Sequence, residues 1–275
     1  MTEKKKTQKK TGKEEALVVI FPSSLWPYRS GLDRMSWTLS EGFARAIGRI
    51  EGLLGWVSPR GLENPQALVN PREIPFRVLR EEPNSQMIVE ETRALHANYA
   101  LTSRMLCEGK DVEFWFNAWE GETGNLLGTH RVQGQKKDVL WRLVSGFRDV
   151  LMTFGVDREA VIGVELKDVV PTGNWEALMA MTRSIEEDVY KGTGQGDVLS
   201  EKGSSLEAAC RALAFDPGFI EAEERVRALS ETLLLAARTR EDCHKILGLL
   251  IEDSGNEVLR EMRRAVNDRW LALAK

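Results

Sequence analysis

Tyr99-Ala-Leu-Thr-Ser-Arg-Met-Leu-Cys107, Gly109-Lys110, Val112-Glu-Phe-Trp-Phe-Asn-Ala-Trp119, Glu120-Gly-Glu-Thr-Gly-Asn125 and Leu126-Leu-Gly-Thr-His-Arg-Val132 follow one another in the chain. Three strand-like runs separated by short turns that carry glycine read as an antiparallel meander. In the middle run Val112, Phe114, Phe116 and Ala118 alternate with Glu113, Trp115, Asn117 and Trp119. Side chains of a strand point alternately to its two faces. One face is therefore apolar. The other sets two tryptophans beside polar residues, as a covered face or a contact surface does.

Toward the N-terminus, Ala16-Leu-Val-Val-Ile-Phe21 is a continuous apolar run stopped by Pro22, the mark of a strand buried on both sides. A loop rich in Pro, Ser and Gly is expected through Gly31. Met35, Leu39, Phe43, Ala46, Ile47 and Ile50 then recur at three and four, one face of a helix. Gly55-Trp-Val-Ser58 reads as a second strand. Pro59, Pro65, Pro71, Pro75 and Pro83 make 59–85 irregular, with one helical turn expected near Phe76–Arg80. Residues 85–97 read as helix. Past the meander, Asp138 is placed to cap a helix whose apolar stripe runs from Val139 to Phe154. Ala160–Leu166 reads as a short extra strand. Helices are expected over 174–190, from a cap at Ser204 or Ser205 to Asp216-Pro217, over 219–238, and from Thr239 to Ala274 with an interruption near Ser254-Gly255-Asn256.

The implied architecture is α/β (α+β): a mixed sheet in the order β-α-β-α-β-β-β-α, followed by an all-helical C-terminal region. The chain divides into a basic tail (1–14), an α/β domain (15–157) and a helical tail (158–275).

Composition limits the function classes. The 275 residues are 42% hydrophobic and 29% charged, an ordinary globular mix. The net charge of −4 lacks the basic excess of a nucleic-acid binder. The local exception is the lysine-rich start, Lys4 to Lys10, read as a solubilising tail. No apolar run reaches a membrane span or an export signal, so a cytoplasmic location is expected. Cys107, Cys210 and Cys243 are odd in number and far apart, and read as buried thiols. His96, His130 and His244 lack metal-ligand spacing. Gly192-Thr-Gly-Gln-Gly196 follows helix rather than strand and lacks the Lys-Ser/Thr of a phosphate loop, so it reads as a linker. The pairs Glu81-Glu82 and Glu90-Glu91 and the run Glu186-Glu187-Asp188 read as solvated faces. No catalytic, cofactor-binding or metal set can be assigned. Of the eight tryptophans, Trp26 in the Pro-bearing loop and Trp115 and Trp119 on one strand face are the candidate partner-binding residues.

Residues 16–157 resemble the N-terminal domain of TolB, and more closely the TolB-like domains next to TPR repeats in bacterial regulatory proteins. The resemblance is carried by the opening strand into Phe21-Pro22, the helix Trp37-Thr-Leu-Ser-Glu-Gly-Phe-Ala-Arg-Ala-Ile47, Trp56-Val-Ser58, the strands at Tyr99–Leu101 and Val112–Trp119, the turn Glu122-Thr-Gly124, and the helix from Leu140 to Met152. The family commonly has Gly where Ser103 stands. Ala212-Leu213 and Asp216-Pro217 resemble the end of a single degenerate TPR repeat. The resemblance implies a non-enzymatic protein-interaction or scaffold module, with a protein partner or self-association. The alternative is a small-molecule sensor binding between the meander and the proline-rich loop.

Overall fold

A computed structural model describes residues 15–29, 31–191, 198–251 and 255–273. The lysine-rich start, the Gly192–Gly196 linker and Ala274 lie outside the described residues.

The strands are β1 (Ala16–Ile20), β2 (Ser24–Trp26), β3 (Leu53–Val57), β4 (Tyr99–Glu108), β5 (Asp111–Glu120) and β6 (Leu126–Gln135). They form one mixed sheet in the order β3-β1-β4-β5-β6, with β2 added beside β4. β1 pairs in parallel with β3 and with the first half of β4. The chain bends at Pro22, and β2 then runs parallel to the second half of β4. The β4-β5-β6 meander is antiparallel, with one irregularity between Ala118 and Trp119.

β2 lies where only a loop was expected. Three residues are too few to show a period, but Leu25 enters the core. At the bend the Ser23 and Ser103 hydroxyls meet at 2.6 Å, inside the protein. That contact gives the serine at position 103 a partner that a glycine would leave without one.

Helices α1 (Asp33–Ile47), α3 (Val139–Thr153), α4 (Arg158–Ile162) and α5 (Leu166–Val169) gather with the sheet's inner face around one core. At its centre Phe43 stacks on Phe147 at 4.8 Å and meets Phe116 edge-on at 5.5 Å. α2 (Ser85–Ala94) crosses the outer face, where Ile88 packs with Val19, Phe21 and Ala100.

Four local expectations are corrected. Residues 160–166 are not a strand. Asp157 accepts from Glu159 N at 3.1 Å and starts α4, whose Val161, with Val164 just beyond, turns inward at a helical spacing of three. Phe76–Arg80 is not a helical turn: Val78 bridges Leu62 antiparallel, and Phe76 and Val78 alternate inward. Asp138 precedes α3 without capping it: its Oδ2 accepts from Arg142 at 2.9 Å, while its Oδ1 is buried without a hydrogen-bond partner. Ser204 and Ser205 are not caps but lie within α7, which starts at Val198.

The C-terminal region is helical: α6 (Trp175–Lys191), α7 (Val198–Phe215), α8 (Ile220–Ala236), α9 (Arg240–Leu249) and α10 (Glu257–Ala272). α6 and α7 are antiparallel, tied at one end by Asn174 Nδ2 to Phe215 O at 2.8 Å and further along by Ser184 Oγ to Ser205 O at 2.7 Å. Asn256 and the capping box Thr239/Asp242 start α10 and α9. The first core continues into α6 through Trp175 and Leu178, while Ala177 of the same helix belongs to the C-terminal core. No helix among the described residues is long and apolar enough to cross a membrane.

Candidate functional site

The register fixes what the outer face of the meander presents. Pairing aligns Arg104, Trp115 and Arg131 in one row across β4, β5 and β6. The next rows are Thr102, Asn117 and Thr129 on one side, and Leu106, Glu113 and Gln133 on the other. Trp26 is the partner of Leu106 and so joins this face at the β2 edge. With strands about 4.8 Å apart and about 3.3 Å per residue, Trp26 and Trp115, two strands and two residues apart, are separated by roughly 12 Å along the sheet.

The tryptophans divide into two kinds. Trp119 is fastened inward: its Nε1 donates to Thr102 Oγ1 at 3.0 Å, and its ring packs against the small core under α2. Trp26 is 60% exposed and Trp115 37% exposed. Around Trp115, Arg104, Thr129, Arg131 and Gln133 are also exposed. α2 therefore closes one end of this face and leaves the other open.

The open end is ordered by polar contacts rather than by a covering helix. Arg131 grips buried Glu113 with two nitrogens, at 2.6 and 2.8 Å, and its guanidinium lies 5.1 Å from the Trp115 ring centre. A paired guanidinium over an indole is held flat and loses little freedom when a partner arrives. Glu82, from the proline-rich segment, accepts from Asn117 Nδ2 at 3.2 Å and faces Arg104 at 3.8 Å. Burial raises the Glu82 carboxyl above its usual range, against the opposing pull of Arg104. Thr129 Oγ1 donates to Asn117 Oδ1 at 2.8 Å and closes the chain of bonds.

Alternation along the second run already marks Trp115 and Trp119. It does not separate the fixed ring from the open one, because that depends on where α2 crosses. Arg131 and Glu82 carried no signal in sequence: their roles come from cross-strand register and from a loop without periodicity.

The remaining candidates fall elsewhere. Glu91 is not on a solvated face. It is buried, accepts from Ser58 Oγ at 2.6 Å and pairs with Arg60 at 3.0 Å, bracing α2 against the start of the proline-rich segment. Glu186 is part-buried, and burial raises its carboxyl. Buried Asp33 accepts from Tyr28 Oη at 3.0 Å and from Val78 N at 2.9 Å. Burial raises Asp33 and, together with the Asp33 charge, pushes the Tyr28 hydroxyl up to about 12. Of the proline-rich segment, Leu62, Phe76 and Val78 are buried in the first core, Phe76 edge-on to Trp37 of α1 at 5.6 Å.

Cys107, Cys210 and Cys243 are free and buried, and burial pushes the Cys210 thiol up to about 12. Such thiols are poor nucleophiles and poor metal ligands. His130 meets Thr153 Oγ1 at 2.8 Å, while His96 and His244 are exposed. Among the described residues no three His, Cys, Asp or Glu side chains converge as a metal site. Set against known proteins, the sequence matches no family model and no curated protein.

Proposed function

We propose that this chain is a non-enzymatic protein-interaction or scaffold module whose contact surface is the open outer face of the meander. The observation that carries the reading is the pair Trp26 and Trp115, exposed on neighbouring rows of one sheet face beside Arg104 and Arg131. Trp and Arg dominate the binding energy of protein interfaces. Charges already paired on the free surface lower the ordering cost of association. The TolB-like order of elements in residues 16–157 favours the same reading, in a bacterial regulatory or envelope-linked system. A cytoplasmic location belongs to this proposal.

The test compares the full chain with a Trp26→Ser/Trp115→Ser double variant, both by light scattering and as immobilised baits. The expected result is a partner, or a second copy, held by the parent chain and lost by a variant of unchanged circular dichroism. If the variant keeps the same partners and the same mass, the contact surface lies elsewhere.

A further inference from the structure

A cleft lies at the end of the sheet where β4 turns into β5 and β6 departs for α3. It has a volume of about 560 Å³ and is lined by Lys110, Gln135, Lys136, Lys137 and the backbone turn from Gly173 into α6. The register brings these lysines together: Lys136 N donates to Lys110 O at 2.9 Å. Among the described lysine side chains, Lys167, Lys202 and Lys245 sit in ion pairs. Lys110, Lys136 and Lys137 pair with no described residue, and all line this one cleft. Asp138, next in the chain, is held by Arg142, and Glu176 is the single carboxylate in the lining. Three ammonium groups thus share a concave site in a chain of net charge −4. Concavity focuses their positive potential.

An independent feature adjoins the cleft through Gly173. A Cβ on Gly173 would lie 3.0 Å from Trp141 Nε1, so the indole rests against the backbone that lines the cleft. Trp141 is nevertheless 62% exposed. Trp141 lines the adjoining cleft with Val144, Arg148 and Leu166, so Gly173 stands between an open indole and the unpaired ammonium groups, which matches a ligand with phosphates at one end and a flat heteroaromatic ring at the other. The volume suits a small molecule. The N-terminus of α6 is not the recognition element, since Asn174 Oδ1 already accepts from Glu176 N and Ala177 N at 3.0 and 3.1 Å.

We propose that this cleft binds a nucleoside polyphosphate, its phosphates on Lys110, Lys136 and Lys137 and its base against Trp141. The inference is independent of the interaction face, which lies around Trp115.

The test is calorimetric titration of the full chain with ATP, pyrophosphate and adenosine at about 50 mM salt, where charge attraction is only partly screened. ATP is expected to bind with a dissociation constant on the order of 10–100 µM, and the other two at least about tenfold more weakly. The Lys110→Gln/Lys136→Gln/Lys137→Gln variant, whose changes lie at the surface, is expected to lose about tenfold or more. Trp141→Ala is expected to lose about tenfold. The lysine-rich N-terminal segment is present in every variant, so its attraction for anions cancels. Amide NMR shifts on adding ATP are expected at Gly173 and Asn174. No ATP binding up to about 1 mM, unchanged affinity in the triple variant, or shifts confined to another region would overturn the proposal.

Discussion

Gly42 shows how one atom sets the position of two elements. A Cβ there would lie 1.7 Å from the Val169 carbonyl oxygen of α5, a backbone atom that cannot rotate away. Gly42→Ala is expected to destabilise the fold by about 1–3 kcal/mol despite alanine's better helix propensity, because overpacking forces the helices apart. Denaturant unfolding reads this directly, and an unchanged or higher midpoint would contradict the close approach. Asp33 makes a pH-dependent prediction. Burial raises its folded carboxyl above the unfolded value of 3.8, so the folded state binds the proton more tightly. The stabilising contribution of this group is full below the unfolded value and is lost as pH rises through the raised folded one. Relative to Asp33→Asn, the parent chain is therefore expected to gain stability as pH falls from 7 toward 4 (about the unfolded value). Parallel stability curves for the two chains would remove Asp33 as the source. Neither residue announces itself in sequence: Gly42 sits unmarked inside a helix stripe, and Asp33 looks like an ordinary first-turn acid until Val78 N is found on it.

Elements were legible where a period ran long enough to show. β5 alternates over eight residues, Val112 to Trp119, and α1 and α3 carry unbroken apolar stripes, so these three are readable at once. β2 spans three residues and α4 five, too short for any period to decide between helix and strand. Ser204 and Ser205 look like caps and suggest a late start for α7, which begins at Val198. In the fold they serve instead as side-chain partners across the α6–α7 pair. Arg225 of α8 joins there, its Nε donating to Ser184 Oγ at 2.6 Å and its Nη2 to Ser184 O at 2.9 Å, with Asp188 at 3.1 Å. Desolvation lowers the Arg225 pKa, while Asp188 pulls the other way. Removing the guanidinium leaves part-buried acceptors and a carboxylate short of a donor, and the penalty falls on those groups rather than on Arg225 itself. Arg225→Met keeps the aliphatic stem and is expected to cost about 1–3 kcal/mol. A double-mutant cycle with Ser184→Ala would show coupling between the two sites, and additive effects would mean that the network holds nothing together.

The whole molecule turns on α6, a helix that no sequence signal singles out, because an amphipathic stripe does not say how many cores it serves. Trp175 and Leu178 close the core of the sheet, while Ala177 belongs to the helical core that α7 and α8 share. The first core also takes in Val161, Val164, Val169 and Val170, all beyond residue 157. A fragment ending at 157 would expose the apolar surfaces of α1 and α3 that these residues cover. It is expected to be aggregation-prone or expanded, with loss of near-ultraviolet dichroism, and a sharp cooperative transition in that fragment would show that the sheet needs nothing downstream. In the full chain, a helix shared by two cores couples their unfolding. Leu178→Ala is expected to cost about 2–5 kcal/mol and to lower the melting of sheet and helical tail together. The reporters are helical dichroism for the tail and amide exchange in β5 for the sheet. Coincident transitions in the variant would mean that α6 transmits the damage from the sheet core to the tail. If the tail melted at its original temperature while the sheet melted early, α6 would hold on to the tail alone, and the interaction face around Trp115 would be free to open without it.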